Sequence, residues 1–171
     1  QGCGHVGYNL AKWLHEAGAR LVVADVNSDN VARVVESFGA DTVDPSEIFS
    51  VPAEIFAPCA LGGIINDETI PQLQVQIVAG AANNQLLEER HGARLRERNI
   101  LYAPDYVANA GGVLNGCVEV LGWDPDHALS KVDEIYDTCF RIFQSAKAEG
   151  ITTNQAANRL AEDRLKRAPN L

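Results

Sequence analysis

Apolar positions along the first two thirds of the chain follow two alternating rhythms, and the alternation predicts the layout. Between Tyr8 and Ala17, the residues Leu10, Leu14 and Ala17 share one side of a helical repeat that stops at Gly18, the pattern of an amphipathic helix with a glycine after its end. Arg20-Leu-Val-Val-Ala-Asp25 is a short β-branched run closed by a carboxylate, which reads as a buried strand. Ser28 is placed to cap a helix running to Phe38 and stopped by Gly39. Short apolar runs return at Thr42-Val43, Glu54-Ile-Phe-Ala57, Gln76-Ile-Val-Ala79 and Ile100-Leu-Tyr-Ala103, with helical stretches near 68–73 and 85–98 between them. Strands alternating with helices predict an α/β fold, a parallel sheet covered by helices on both faces.

From Asp105 the strand pattern ceases. Residues 105–121, 125–149 and 153–168 read as helices, the last two divided by Gly150, with Thr153 or Asn154 as the cap of the third. The expected organisation is one sheet-bearing domain over 1–121 and a helical segment over 122–171 packed on it. Composition changes this picture in three ways. Fourteen Lys and Arg against 23 Asp and Glu leave a net charge of −9, and an acidic surface repels phosphate backbones and anionic headgroups, so neither nucleic acid nor membrane is expected as a partner. No apolar run approaches the ~20 residues that span a bilayer, and the start lacks a signal-peptide pattern, so a cytoplasmic chain is expected. Cys3, Cys59, Cys117 and Cys139 form no C-x-x-C pair and read as reduced, mostly buried thiols, with no metal site expected; the lack of methionine suggests a piece of a longer chain.

Candidate chemistry begins at the first residue. Gly2, Gly4 and Gly7, with Cys3, His5 and Val6 between them, spell G-x-G-x-x-G at the opening of a helix, a weak signal alone. Asp25, at the end of the next strand and 23 positions after Gly2, narrows it to a dinucleotide-binding loop. In that arrangement Gly2 permits the tight turn, Gly4 lets a pyrophosphate approach the backbone, and Gly7 allows close helix packing, while helix N–H groups face the anion. Asp25, with Val26 beside it, suits an adenosine ribose; a 2′-phosphate ~4 Å from a carboxylate would be disfavoured by about 4 kcal/mol at an effective dielectric of ~20, so NAD is the expected cofactor over NADP. The fold implied is a Rossmann-like doubly wound parallel sheet, its first strand truncated ahead of Gly2 and its C-terminal part helical. His5 reads as a backbone-positioned loop residue, His15, His91 and His127 as surface histidines, and Trp13 and Trp123 as packing anchors. Asp124, Asp126, Asp133, Glu134 and Asp137 read as a solvated helix face.

Three further stretches carry a family likeness: Phe56-Ala-Pro-Cys-Ala-Leu-Gly-Gly-Ile-Ile-Asn-Asp67, Ala79-Gly-Ala-Ala-Asn-Asn-Gln85 and Ala103-Pro-Asp-Tyr-Val-Ala-Asn-Ala-Gly-Gly-Val113. With them the chain resembles, over essentially its whole length, the amino-acid dehydrogenase family of leucine, valine, phenylalanine and glutamate enzymes, nearest its leucine branch. The resemblance implies that Cys59, Ala60 and Leu61 lie against the adenosine half of the cofactor. It further implies that Asn83 meets the nicotinamide-side ribose and the substrate carboxylate, and that Asn109 meets the nicotinamide carboxamide. Amides suit such work because each offers a donor and an acceptor. Val113 and Gly116 would line the substrate side-chain pocket, and Gly116, which lacks the methyl groups usual there, favours bulky side chains. Gly111 and Gly112, or Gly116, would otherwise serve close helix packing.

The reaction implied is the reversible oxidative deamination of a branched-chain or aromatic L-amino acid to the 2-oxo acid and ammonia, in a homo-oligomer. The family's catalytic lysines and aspartate belong to a preceding substrate domain. Lys12, Lys131 and Lys147 fall on predicted helices and Lys166 in the tail, so this chain alone is expected to hold cofactor without turnover. A non-catalytic NAD-sensing regulatory domain is the alternative, but such a sensor has no chemical use for the 79–85 and 103–113 stretches.

Overall fold

The computed structural model describes residues 1–167, so position 168 of the last predicted helix and the end of the 122–171 segment lie outside the described residues. Helix α1 (His5–Glu16) leads to strand β1 (Val22–Val23), α2 (Ser28–Phe38) and β2 (Asp41–Thr42). Next come β3 (Ile55–Phe56), β4 (Ile77–Val78), α3 (Arg90–Glu97) and β5 (Leu101–Tyr102). The chain then turns helical: α4 (Asp105–Ala108), α5 (Gly111–Leu121), α6 (Pro125–Glu149) and α7 (Thr153–Arg167).

All pairings are parallel: β1 with β2, and β3, β4 and β5 in that order, with Ile77 beside both Ile55 and Leu101. The strands are shorter than the apolar runs, although backbone bonds continue past them, as from the Val43 N–H to the Val23 carbonyl and from the Ala103 N–H to the Val78 carbonyl. Gln1 and Gly2 join the two sheets. The Gly2 N–H donates to the Ala24 carbonyl at 2.8 Å on one side. On the other, the Gln1 amino group donates to the Ala57 carbonyl at 3.0 Å, and the Cys59 N–H to the Gln1 carbonyl at 2.8 Å. An apolar slot of about 270 Å³, walled by Leu10, Leu14, Val22, Phe56 and Val75, prolongs the line of Gln1 between β1 and β3.

Several local expectations change. Residues 68–73 form only a 3-10 turn at Ile70–Gln72, where Pro71 has no N–H to extend a helix. The 85–98 helix begins at Arg90, because Asn84 takes a left-handed conformation and the Gln85 side chain bonds back to the carbonyls of Gly80 and Ala82. The 105–121 helix divides at Asn109, whose side chain turns to the neighbouring loop. Asn27, not Ser28, caps α2, accepting from the Asp29 N–H at 2.9 Å. Thr152, one residue earlier than expected, caps α7: its hydroxyl accepts from the Gln155 N–H and its N–H donates to the Gln155 side chain, a reciprocal capping box.

Among the described residues the core forms three clusters. One gathers Phe56, Ile65, Ile70, Leu73, Val78, Leu95 and Tyr102 around β3–β5; a second joins Cys3, Ala11, Val23 and Val34; a third lies between α6 and α7 at Ile142, Ala146, Ala156 and Ala157. Trp13 is no packing anchor: it is 66% exposed, with the Lys12 ammonium 5.7 Å over its ring. Trp123 is half-buried, edge-on to His127. His15 and His127 are exposed, but His91 is fully buried, its Nδ1 accepting from the Glu88 N–H at 3.0 Å and its Nε2 3.5 Å from an Asp67 carboxylate oxygen. Only Cys3 is a fully buried thiol; Cys59, Cys117 and Cys139 are half-buried, and all four are free. The acidic face of Asp124, Asp126, Asp133, Glu134 and Asp137 is exposed, and Asp124 also caps α6. Helix α5 buries none of its residues and, with α6, exposes Val113, Val120, Leu121, Leu129 and Tyr136. Among the described residues no helix is long and apolar enough to cross a membrane.

Candidate functional site

The turns that follow β1, β3, β4 and β5 leave the carboxyl ends of parallel strands, where open α/β sheets bind ligands, and the Gly2–Gly7 loop joins them. In that loop Gly2 has φ +88°, a conformation that excludes most side chains. Gly7 serves a close approach: a Cβ there would lie 1.9 Å from the Gly2 carbonyl oxygen, so α1 packs directly on the backbone that joins the two sheets. A Cβ on Gly4 would meet nothing, and His5 and Val6 are exposed. The first turn of α1 has neither a capping side chain nor an acidic residue, whereas α2 and α6 have both. Its N–H groups are therefore free to meet an anion.

Asp25 closes the loop at the other side. One carboxylate oxygen accepts from the Cys3 N–H at 2.6 Å and the other from the Asn27 N–H at 2.8 Å. Partial burial pushes this carboxyl up, but the N–H groups of Asn27 and Cys3, with the Asn30 side chain, outweigh it and hold it below the usual carboxylate range. Val26 is 93% exposed beside it. Arg33, which sequence reasoning missed, donates to the Cys3 carbonyl at 3.3 Å and stacks over the Tyr8 ring. Only a helical register eight residues past Asp25 could have signalled it.

The Cys59-Ala60-Leu61 turn sits directly on the glycine loop, a Cβ on Gly2 falling 2.8 Å from the Ala60 Cβ, with Leu61 75% exposed. One residue on, Gly62 backs onto the Asn83 carbonyl. The structure also brings Asn83 and Asn109 together: the Asn109 Nδ2 donates to the Asn83 Oδ1 at 2.6 Å and to the Ala81 carbonyl at 3.3 Å. Beneath them lies Asp105, also missed, only 7% exposed and accepting from the Gln85 and Tyr106 N–H groups, both at 2.6 Å. Burial, then the nearby Asp105 carboxylate, push the Tyr102 phenol above its ordinary range. The signal for Asp105 was a carboxylate directly after an apolar strand and a proline. Val113, 74% exposed, and Gly116 follow on α5, and Cβ atoms on Gly111, Gly112 or Gly116 would touch nothing within 4 Å, so close helix packing explains none of the three.

The glycine loop, Asp25 and the paired amides thus lie at the carboxyl ends of the parallel strands. The profile of glutamate/leucine/phenylalanine/valine dehydrogenases matches residues 23–171. A leucine dehydrogenase of Thermoactinomyces intermedius is 54% identical over 165 residues, 96% of this chain and 45% of that protein. A phenylalanine dehydrogenase of Caldalkalibacillus thermarum is 46% identical across 100% of this chain and 48% of its own. The crystal structure of L-tryptophan dehydrogenase from Nostoc punctiforme superposes with a TM-score of 0.94 at 53% identity, covering 97% of this chain and 50% of that one. The chain spans about half the length of the relatives it matches. By sequence and by fold, it belongs to the glutamate/leucine/phenylalanine/valine dehydrogenase family.

Proposed function

We propose that this chain is the NAD-binding part of an amino-acid dehydrogenase that reversibly deaminates a branched-chain or aromatic L-amino acid to its 2-oxo acid and ammonia. The observation that carries the reading is the uncapped first turn of α1 beside Asp25, on the same rim as the Asn83–Asn109 pair. The residues fit the cofactor. The α1 N–H groups and Gly4 would take the pyrophosphate, Asp25 with Val26 the adenosine ribose, Cys59, Ala60 and Leu61 the adenosine half, and Asn83 and Asn109 the nicotinamide end. When bound, the nicotinamide supplies hydride acceptance; the protein's part is to hold it and to exclude the 2′-phosphate through Asp25.

The four lysines support a chain without its own catalytic base: Lys12, Lys131 and Lys166 each lie within 4.0 Å of an acidic neighbour on their own helix, and Lys147 lies near the end of α6. In this reading residues 1–121 are the dinucleotide-binding domain, 122–171 pack on it, the substrate-binding lysines belong to the remaining length that the relatives possess, and the assembly is a cytoplasmic homo-oligomer. Fluorescence titration of the intact protein with NADH and NADPH tests the cofactor: tighter NADH binding is expected, and preference for NADPH overturns it. Open space at Gly116 makes Gly116→Val a clean test of substrate size. In the intact enzyme this change should lower kcat/KM for phenylalanine relative to valine by about tenfold, the value of a methylene or two of fit. An unchanged ranking removes Gly116 from the pocket.

A further inference from the structure

We infer that Asp105 is the positioning residue that sets the Asn83–Asn109 amide pair, and through it the nicotinamide end of the cofactor site; this rests on the reading proposed above. Asp105 acts on both loops that carry the pair. Through its side chain it accepts the Gln85 N–H at 2.6 Å, two residues past Asn83. Through its backbone carbonyl it accepts the Asn109 N–H at 2.8 Å. The 80–85 loop is braced internally by the Gln85 side chain, which donates to the Gly80 and Ala82 carbonyls, and on the β3 side by bonds from the Ala82 N–H to the Pro58 carbonyl, the Gly63 N–H to the Asn84 carbonyl and the Ile65 N–H to the Gln85 carbonyl; its own backbone N–H turned toward the segment after β5 is that of Gln85. The Gln85 N–H is thus the loop's handle toward β5, and Asp105 holds it.

The site gives a reason for burying a carboxylate. Among the described residues Asp105 forms no ion pair, and its charge is met by two backbone N–H groups instead. That arrangement fixes direction as well as distance.

The chemistry it sets up follows from donor and acceptor counts. The Ala81 carbonyl can only accept, so the Asn109 nitrogen must face it, and the Asn83 oxygen must then face that same nitrogen. The pair therefore presents one uncommitted donor, the Asn83 Nδ2, and one uncommitted acceptor, the Asn109 Oδ1. A primary carboxamide is the complement of that pair. If the register between the loops slips, both amides keep their identity but lose their mutual orientation.

The test separates the two ends of the cofactor. In the intact protein, Asp105→Asn should weaken NADH binding by about tenfold or more, while binding of ADP-ribose, which lacks the nicotinamide, changes by less than about twofold. The Asn109 side-chain amide signals in a ¹H–¹⁵N spectrum without cofactor should move in the same variant. In an Asn83→Ala background the further effect of Asp105→Asn on NADH should largely vanish, as expected of residues acting through one pair. Asp105→Ser serves the same comparison if Asp105→Asn does not fold. Equal weakening of NADH and ADP-ribose, or an unchanged NADH affinity with unmoved Asn109 signals, overturns the inference. A wild-type protein that binds neither ligand overturns the cofactor reading instead, and the Asn109 signals then still report on positioning.

Discussion

Asp25→Asn removes one charge from the glycine loop while keeping the shape of the side chain. In the wild type both oxygens are used, at 2.6 Å by Cys3 and at 2.8 Å by Asn27, and an amide can accept at only one of those places while turning its NH₂ against the other N–H. Hydrogen bonds to a charged acceptor are worth about 1.5–3 kcal/mol each, but Asp25 is only half-buried and water replaces part of the loss. A net cost of about 1–2 kcal/mol is expected, or a melting temperature lower by roughly 2–8 °C for a chain of this size. The pH dependence has a definite sign. Because the folded-state carboxyl titrates below its ordinary value, its stabilisation is complete above about pH 4–5 and is lost as pH falls through the depressed value. Melting curves of wild type and variant should therefore differ at pH 7 and converge toward pH 3. The same substitution should narrow the preference for NADH over NADPH by at least about tenfold, since a 2′-phosphate no longer faces a carboxylate. Parallel melting curves down to pH 3, with an unchanged cofactor ratio, would refute both the clamp and the specificity argument.

Gly7→Ala forces a Cβ to within 1.9 Å of the Gly2 carbonyl, so the loop must open by about an ångström, and NADH affinity measured by fluorescence should fall at least tenfold; unchanged binding would show the loop to be compliant. His91→Ala leaves a cavity and an unpartnered Glu88 N–H and should cost about 2–4 kcal/mol in urea unfolding, with a loss under ~1 kcal/mol counting against its role.

What was legible in the sequence was whatever depends on spacing along one chain segment. The glycine spacing and Asp25 located the loop, and the alternation of β-branched runs with helices located the parallel sheet. Asn83 and Asn109 came from the family resemblance, and their side chains meet at 2.6 Å although they lie in separate stretches. What stayed hidden depends on contacts between segments. His91 has the spacing of a surface residue until the preceding loop is seen to end at Glu89, which turns its ring inward over Asp67. Asn27 and Ser28 are equally good caps by residue type, and only the extended backbone of Asn27 decides between them. Asp105 looked like an ordinary helix start because its partner, Gln85, lies twenty positions away.

The division of the core into separate clusters has a consequence for how the molecule opens. The cluster of α1, β1 and α2 meets the β3–β5 cluster along the backbone bonds of Gln1, Gly2 and Cys59 and through Ala24 and Val43, which pack with the latter, a narrow seam beside an apolar slot. Such a seam makes the first unit the cheaper one to release, so amides of α1 and α2 should exchange with deuterium through a partial opening, ahead of those around Leu95 and Val78. A dinucleotide held at once by Asp25 and by the Asn83–Asn109 pair would straddle that seam. Its binding energy would then appear as exchange protection far from its own contacts, in the helix that carries Arg33, and cofactor and fold would be thermodynamically one system.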